Sequence, residues 1–376
     1  MREFFLRTLA LAHKEALHML RDRQVIFLAL GMPLVLVLLF GYAVSFDVEE
    51  VEVAAVDEDM TPASRSFLAR VEASDAFHIT MHLASAQPAE SLFRRSRIKA
   101  VFVVPRGFER ALVREDAAEI QLIIDGADGT SARVIEAYGS ALALFTTADL
   151  IASIRSATSD TPLFEPRIRM WFNPRMESAV FVVPGLVAVV LAIITVLLSG
   201  LTVAREWERG SMEQLFATPV GRLSIILGKV APYVGLGFLQ FLLILVAGAY
   251  LFEIPLHGSF LTLVLAVFLF LVAALGQGVF ISMATKSQQL AVQIGAISSI
   301  LPSLLISGFL FPIANMPLPL RIVSRFVPAR YFIACLRGVL LQGRGVSTLW
   351  PQLLGLAGLS IGIIAIATRR FRRRLD

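Results

Sequence analysis

Six stretches of the chain are apolar for about twenty residues at a time, which is the length that a helix needs to cross a hydrocarbon layer of about 30 Å. We expect six transmembrane helices, at residues 25–46, 180–203, 230–252, 260–284, 290–311 and 352–367. The first stretch is too long and too far from the N-terminus for a typical cleaved signal peptide, so we expect it to be retained. The pattern predicts a helical bundle that crosses a membrane six times.

Residues 1–24 predict an amphipathic helix that lies in the membrane interface on the cytosolic side. Apolar side chains recur at helical spacing on one face, and basic side chains occupy the other. The apolar face holds Phe5, Leu9, Ala12, Ala16 and Leu20, and the polar face holds Arg7, Lys14, His18 and Arg21. The alternative interpretation is an ordinary charged flank before the first span.

The segment at residues 47–175 has the composition of a soluble domain, with short β-rich runs between helical patterns. The candidate strands are residues 51–56, 77–82, 98–104, 119–124 and 167–172. The candidate helices are residues 63–72, 88–95, 107–114 and 131–156. The segment is long enough to bury its own core. The predicted fold class is therefore an α-helical membrane protein with six transmembrane helices, an N-terminal amphipathic interface helix and an α/β extracytoplasmic domain.

Lysine and arginine residues near the span ends indicate how the chain crosses the membrane, because cytoplasmic loops carry an excess of them. The basic residues that a cytoplasmic N-terminus would place inside are Arg2, Arg7, Lys14, Arg21, Arg23, Arg205, Arg209, Arg222, Lys229, Lys286, Arg369, Arg370, Arg372, Arg373 and Arg374. An outer segment, residues 312–348, departs from this rule with five arginines, and we interpret it as short helices capping the bundle. We expect cytoplasmic termini, residues 47–175 outside, and the rest of the bundle, residues 176–376, in the membrane.

The composition agrees with a membrane protein and disfavours other classes. Hydrophobic residues make up 56% of the 376 residues, against roughly 45–50% in ordinary soluble domains. The net charge is +5, but the basic residues lie mainly at the ends of apolar runs, so we expect no nucleic-acid partner. Cys335 is the only cysteine, which rules out an intrachain disulfide.

The chain carries no recognisable motif for enzyme chemistry. A phosphate-binding loop ends in Gly-Lys-Ser/Thr, and the nearest match, Gly228-Lys229-Val230, lacks the hydroxyl and the glycine spacing. We therefore expect no ATP hydrolysis by this chain and predict no catalytic, cofactor-binding or metal site. His78 and His82 would share a face as metal ligands do, but no carboxylate or cysteine cluster accompanies them.

The polar residues within the spans are neutral. The middle of each predicted span lacks Asp and Glu, whereas proton-driven transporters usually place an acidic residue or a histidine there. The neutral residues that are candidates for a translocation path are Gln240, Gln277, Gln293, Ser303 and Ser307. Such side chains also hydrogen-bond between helices, so a structural role stays open.

A short charged segment at residues 205–219 follows the second span. Met212, Leu215 and Phe216 are its apolar positions, and Pro219 would end a helix. This pattern suits a small helix docked into the groove of a partner protein. A solvated turn would show the same pattern.

Several groups of residues, in their order and spacing, resemble the ABC-2 type exporter permeases, specifically the multidrug-efflux permeases with a large extracytoplasmic domain between the first two transmembrane helices. The groups are His13-Lys14-Glu15 to Arg21-Asp22-Arg23, Asn173-Pro174 with Val183-Pro184-Gly185, Arg205 to Pro219, Gly228 to Tyr233, and Ser307 to Pro317 with Pro328 to Tyr331. Ser211 stands where the family commonly has threonine, and the hydroxyl is kept. The resemblance covers nearly the whole chain.

The resemblance implies a transport subunit without a cofactor of its own, driven by a separate subunit that binds ATP and magnesium. The residues expected to contact that subunit are Glu206, Glu208, Gly210, Met212, Glu213, Leu215 and Phe216. The resemblance also implies a second permease, identical or different, and often a periplasmic adaptor protein. The expected function is the export of amphipathic or hydrophobic substrates, such as drugs, from the cytoplasm or the inner membrane.

Two other functions fit parts of the sequence. A secondary transporter would move its substrate without ATP, and the missing carboxylates within the spans count against it. A membrane receptor with an extracytoplasmic sensor would need a cytosolic signalling domain, whereas only residues 369–376 follow the last predicted span.

Overall fold

The computed structural model describes residues 2–43, 51–74, 76–114, 118–127, 132, 135–144, 178–212 and 220–370. The chain forms two compact units. The α/β unit is Phe46–Met170, and the bundle unit comprises Met1–Ser45 and Trp171–Asp376. The division follows the change in composition along the chain, because the α/β unit is the soluble-type segment between the first two apolar runs.

Within the described residues, six helices are long and apolar enough to cross a membrane, as predicted. Spans 1 to 6 are Arg23–Tyr42, Ala179–Glu208, Arg222–Leu251, Phe260–Thr285, Gln288–Ile306 and Val346–Arg370. Spans 2, 3 and 6 run beyond their apolar cores, because backbone hydrogen bonding continues through the polar residues at their ends. Arg205 therefore lies on the last turn of span 2, and Lys229 lies two turns inside span 3.

Span 2 is central to the bundle and packs against spans 4 and 5. Most of its residues are buried, including Val189, Leu191 and Val196. Gly278 of span 4 permits a close crossing, since a Cβ there would overlap the carbonyl oxygen of Val196. Small residues at such crossings let membrane helices approach each other closely.

The N-terminal helix is Arg2–Arg21, within the segment 1–24 expected to form it, and it packs along span 3. Gly228 allows the contact, because a Cβ at this position would lie 2.7 Å from the Cβ of Leu11. Phe5 and Leu9 of the predicted apolar face are exposed, with 71% and 67% of their surfaces accessible. The helix therefore presents apolar side chains outside the protein core, as an interface helix requires.

The outer segment contains short helices, as expected, including Leu318–Val323 and Pro328–Leu340, but the second of these does not lie on top of the bundle as a cap. Its helix Pro328–Leu340 enters the bundle, where the ring of Phe332 stacks on Phe270 with centroids 4.2 Å apart. Phe270 lies ten residues into span 4, about 15 Å along its axis. At the other end of the helix, the Leu340 carbonyl accepts a hydrogen bond of 3.2 Å from the backbone N–H of His257, in the turn before span 4.

One arginine of this segment, Arg337, contacts backbone carbonyls and an aromatic ring in place of a carboxylate. Arg337 donates to the carbonyl oxygens of Gly308 at 3.1 Å and of Phe309 and Phe181 at 3.4 Å. Its guanidinium also lies 3.8 Å from the centroid of the Phe181 ring. These backbone carbonyls and the aromatic face allow Arg337 to lie among the helices, although its charge suggested a position on top of the bundle.

The α/β unit contains a four-stranded sheet of order β2-β1-β3-β4. The strands are β1 Val51–Asp57, β2 Phe77–Leu83, β3 Ala100–Val104 and β4 Gln121–Ile124. β1 pairs in parallel with β2 and β3, and β4 is antiparallel to β3. The helices are Pro62–Glu72, Ala89–Arg94, Phe108–Arg114 and residues 135–144. The predicted strand at 167–172 and most of the remainder of the predicted helix at 131–156 lie outside the described residues.

The sheet has an apolar core on each face, as expected for parallel strands covered by helices. One core contains Phe67, Phe102 and Phe108, and the other contains Ile98 and Val101. The four strands and the α/β class were therefore predicted correctly. His78, a candidate for a shared metal face, instead has Nδ1 3.0 Å from the Glu72 carboxylate.

Asp59 ties the loop after β1 to the helix that follows β3. Its carboxylate accepts hydrogen bonds from the backbone N–H groups of Gly107 at 2.6 Å and Glu109 at 3.0 Å, and from the Thr61 hydroxyl at 2.8 Å. Burial raises the pKa of Asp59, but these hydrogen bonds outweigh it and hold the pKa below its ordinary value. The ionised carboxylate therefore stabilises the α/β unit.

We expect Asp59→Asn to destabilise the α/β unit by about 1 kcal/mol at neutral pH, because partly buried N–H donors lose a charged acceptor. A group with a lowered pKa stabilises the fold above its unfolded-state pKa, and this stability is lost as the pH falls through its folded-state pKa. The difference from the unmutated chain should therefore shrink in acid. Hydrogen exchange of the β1 amides at pH 7 and pH 4 measures it.

Asp125→Asn is the matched control for Asp59→Asn. Asp125 accepts a local hydrogen bond of 3.0 Å from the Ala127 N–H in an exposed loop. We expect little change in β1 exchange for this variant. Equal exchange in the two variants would contradict the role assigned to Asp59.

Candidate functional site

A cluster of charged side chains joins the N-terminal helix to the adjacent ends of spans 2 and 3. At its centre, the ammonium of Lys229 lies 2.6 Å from Glu15 Oε1 and 2.8 Å from Glu206 Oε2. Lys229 is only 2% exposed. A lysine buried to this degree needs carboxylate partners, because an unpaired buried charge is strongly unfavourable.

Three further residues extend the cluster. Lys14 Nζ lies 3.6 Å from Glu206 Oε1, and Arg205 Nη1 lies 3.2 Å from Asp22 Oδ2. We call the six residues the ionic cluster: Lys14, Glu15, Asp22, Arg205, Glu206 and Lys229. The three acidic and three basic side chains balance in charge, so the N-terminal helix is held by paired charges.

Asp22 has a second role at the start of span 1. Its carboxylate accepts hydrogen bonds from the backbone N–H groups of Gln24 at 3.1 Å and Val25 at 3.3 Å, which caps the helix. Burial raises the pKa of Asp22, but the Val25 N–H, Arg205 and the Gln24 N–H outweigh it and lower the pKa below its ordinary value. Asp22 is therefore ionised near neutral pH and can hold both the cap and the ion pair.

The end of span 2 is also fixed to spans 4 and 5. Glu208 accepts hydrogen bonds from the backbone N–H of Gln288, at 2.7 Å, and from its side-chain amide. The backbone N–H of Ala204 donates to the hydroxyl of Ser282 at 2.7 Å. One end of the bundle is thus cross-linked by polar contacts that involve the N-terminal helix and spans 1 to 5.

The residues expected to contact an ATP-binding subunit occupy different environments. Glu206 points into the ionic cluster, whereas Glu208 and Gly210 are exposed. Gly210 adopts a φ of +69°, a left-handed conformation that favours glycine, and this turn ends the helix of span 2. Glu213, Leu215 and Phe216 lie outside the described residues.

Met212 departs from the expectation of an exposed anchor. Its side chain is fully buried in the core of the bundle unit. The turn at Gly210 directs it back toward the helices, so Met212 packs within this chain and does not present its side chain to a partner.

The residues expected along a translocation path do not lie together. Gln277 and Ser303 line a common cavity between the helices, and Ser307 donates its hydroxyl to the backbone carbonyl of Ser303. Gln240 is buried in span 3, and Gln293 is exposed on span 5. Two of the five residues predicted to lie along a translocation path therefore line the same cavity.

Sequence analysis did not identify the partners in the ionic cluster. Lys229 was assigned only as a topology signal and part of a motif, although it lies two turns into span 3, which begins at Arg222. An ionisable residue that deep in an apolar helix predicts a charged partner. The partner itself, Glu15, is 214 positions away in the chain, and no local pattern identifies it.

Comparison with known proteins places the chain in a family. Residues 23–369 match the family model described as ABC-2 family transporter protein. The chain is similar to the probable multidrug ABC transporter permease YbhS of Escherichia coli K12, with 32% identity over 98% of each chain. It is also similar to the probable multidrug ABC transporter permease YbhR of the same organism, with 27% identity over 99% of this chain and 100% of YbhR.

A third relative extends the comparison. The inner membrane transport permease YhhJ of Escherichia coli K12 is 26% identical over 72% of each chain. The family implies a non-enzymatic transport subunit that works with an ATP-binding subunit. The match to the family model and these relatives show that the chain belongs to the ABC-2 transporter family, and with the six spans they show that it is a multi-pass inner-membrane permease of an ABC exporter.

Proposed function

We propose that this permease exports amphipathic or hydrophobic compounds, such as drugs, from the cytoplasm or the inner membrane. ATP and magnesium bind to a separate subunit, and hydrolysis takes place there. The substrate class is supported by the names of YbhS and YbhR and by the apolar interior of the spans. The observation that carries the coupling mechanism is the ionic cluster beside the exposed turn at Glu208 and Gly210.

The coupling begins at the exposed turn, which receives the ATP-binding subunit. Because Glu206 and Glu208 lie within one helical turn, movement of the turn acts at once on the ionic cluster and on Gln288 of span 5. The N-terminal helix follows through Lys229. An ATP-binding subunit that prefers one arrangement of these elements shifts the bundle between two states by its differential affinity for them.

The assembly contains further subunits. A second permease, identical or different, pairs with this chain to enclose the path, and a periplasmic adaptor protein receives the substrate. The termini lie in the cytoplasm and the α/β unit lies on the periplasmic side, as the distribution of basic residues supports.

The function is tested with vesicles that contain either this chain alone or the chain with its co-purified ATP-binding subunit. We expect ATP-dependent movement of a neutral lipophilic dye in the complete complex. We expect neither transport nor ATP turnover with the chain alone, and no transport by the complex without magnesium. ATP turnover by the chain alone, shown free of other subunits by mass spectrometry, would refute the proposal.

The orientation is tested by single cysteines at two exposed positions, Arg209→Cys after span 2 and Ser91→Cys in the α/β unit. In intact spheroplasts, we expect an impermeant maleimide to label Ser91→Cys and to leave Arg209→Cys unlabelled until the membrane is opened. Cys335 is buried and gives a low background, which the unmutated chain measures. The reverse labelling pattern would invert the proposed topology.

A further inference from the structure

A cavity of about 290 Å³ lies between spans 2, 4, 5 and 6 and the start of helix Pro328–Leu340. Its walls are mainly apolar and include Phe270, Ala274 and Ile363. Every residue that lines it is uncharged. Its volume is close to the lower end of the range for small-molecule sites, about 300–1,000 Å³.

Two polar side chains that line this cavity each have an atom without a protein partner among the described residues. The amide nitrogen of Gln277 donates to the backbone carbonyl of Ser298 at 3.3 Å and to its hydroxyl at 3.2 Å. Because a carbonyl only accepts hydrogen bonds, the amide nitrogen must point to Ser298, and Oε1 is left free. The hydroxyl of Ser303, which also lines the cavity, has no hydrogen-bond partner in the described part of the chain.

The cavity reaches the outer surface of the bundle. Phe326 and Ile366 at its rim are 72% and 54% exposed. Ile366 lies on span 6, where an exposed apolar side chain of the single chain faces lipid. A compound dissolved in the bilayer can therefore enter the cavity laterally from the membrane.

We propose that this cavity binds a neutral amphiphile through its apolar body and a hydroxyl or amide group that donates a hydrogen bond to Gln277 Oε1. Ser303 accepts or donates a second hydrogen bond. A charged head group would find no countercharge in the lining and would lose its hydration. The inference rests on the proposed export function and narrows its substrate class to uncharged compounds that enter from the membrane.

The test uses this chain in phosphatidylcholine vesicles and a long-chain aliphatic alcohol that carries a photoreactive diazirine. We expect labelled peptides from spans 4 and 5 and from residues 326–329, reduced by an excess of the unlabelled alcohol. An otherwise identical quaternary ammonium probe should not label them. Gln277→Leu should weaken the apparent affinity about fivefold, the effect of one neutral hydrogen bond.

Two variants separate the cavity from the surface of the bundle. Ala274→Met fills the cavity and should abolish labelling, while Gln293→Leu removes an exposed glutamine on span 5 and should leave it unchanged. Ser303→Ala keeps the volume and gives a second, milder loss if Ala274→Met does not fold, as judged by size-exclusion chromatography.

Three results would overturn the proposal. One is labelling that Gln277→Leu and Ser303→Ala both leave unchanged, and another is equal labelling by the alcohol and ammonium probes. The third is labelling that excess alcohol fails to reduce, which would mean that the probe reacts from the surrounding lipid and not from a saturable site. The labelling needs no ATP-binding subunit. Absence of labelling while ATP-driven export is intact would therefore refute this binding site and leave the proposed function standing. Labelling of the chain without export by the complete complex would refute the proposed function and leave the binding site standing.

Discussion

Lys229→Met is expected to release the N-terminal helix from the bundle and to lower the stability of the bundle unit by about 3–5 kcal/mol, the usual cost of removing one partner from a buried ion pair. The substitution leaves the carboxylates of Glu15 and Glu206 facing each other, with only 12% and 16% of these side chains exposed. Both carboxylates would repel each other without the shared ammonium. The variant should also export poorly, because the turn after span 2 would no longer move the N-terminal helix.

Two measurements follow the loss of Lys229. The midpoint of thermal unfolding of the purified chain, monitored by tryptophan fluorescence, reports stability. Trypsin cleavage within Arg2–Arg21 in inverted vesicles reports whether the helix is released. A midpoint and a cleavage rate equal to those of the unmutated chain would contradict the role of the ionic cluster.

Lys286→Met is the matched control, because Lys286 is an exposed lysine at the end of span 4. Its ammonium lies 4.6 Å from the centroid of the Trp207 ring, and an exposed contact of this kind contributes only about 0.5–1 kcal/mol. We expect little release of the N-terminal helix in this variant.

A second comparison isolates charge from packing. Lys229→Met combined with Glu15→Gln and Glu206→Gln removes all three charges at the centre of the cluster. This variant should recover part of the stability lost in Lys229→Met, because replacing a complete buried ion-pair group costs less than leaving one charge unpaired. Equal stability of the single and triple variants would show that packing by the Lys229 side chain, and not its charge, holds the helix.

The elements that could be predicted from sequence are those whose signal is local. A long apolar run is typical of a helix surrounded by lipid or by other apolar helices, so all six spans were predicted. The alternation of β-rich runs with helical patterns predicted the four described strands of the α/β unit. The ends of the helices were predicted less accurately. Span 3 begins at Arg222 and not at residue 230, because the charge of Lys229 is paired inside the helix and does not mark its end.

The features that sequence analysis missed depend on distant parts of the chain. The pairing of Lys229 with Glu15 joins residues 214 positions apart. The segment that contains Arg337 was interpreted as short helices capping the bundle, yet Arg337 donates to three backbone carbonyls and contacts one ring within the bundle, groups that carry no residue-specific signal. For the same reason, only the fold shows that Gln277 and Ser303 share a cavity while Gln293 lies on the surface.

The inserted helix Pro328–Leu340 gives the second large expected effect. Phe332→Ala removes a fully buried ring that stacks on Phe270, with an interplanar angle of 10°, and approaches Phe241 at 6.5 Å between centroids. We expect a loss of about 3–5 kcal/mol, the usual cost of truncating a buried phenylalanine to alanine. The loss should be concentrated in this helix, because Phe332 is its aromatic contact with spans 3 and 4.

Hydrogen exchange of residues 328–340 in detergent measures this effect, and Phe260→Ala serves as the control because Phe260 is a half-exposed phenylalanine at the start of span 4. Phe332→Leu should lie between the control and Phe332→Ala, since it keeps much of the apolar volume. Faster exchange confined to this helix in Phe332→Ala would agree with a helix held among the spans by its buried face. Unchanged protection in Phe332→Ala would mean that Arg337 and the backbone contacts at Leu340 hold the helix without the ring stack, and the insertion would then depend on polar contacts at its outer end.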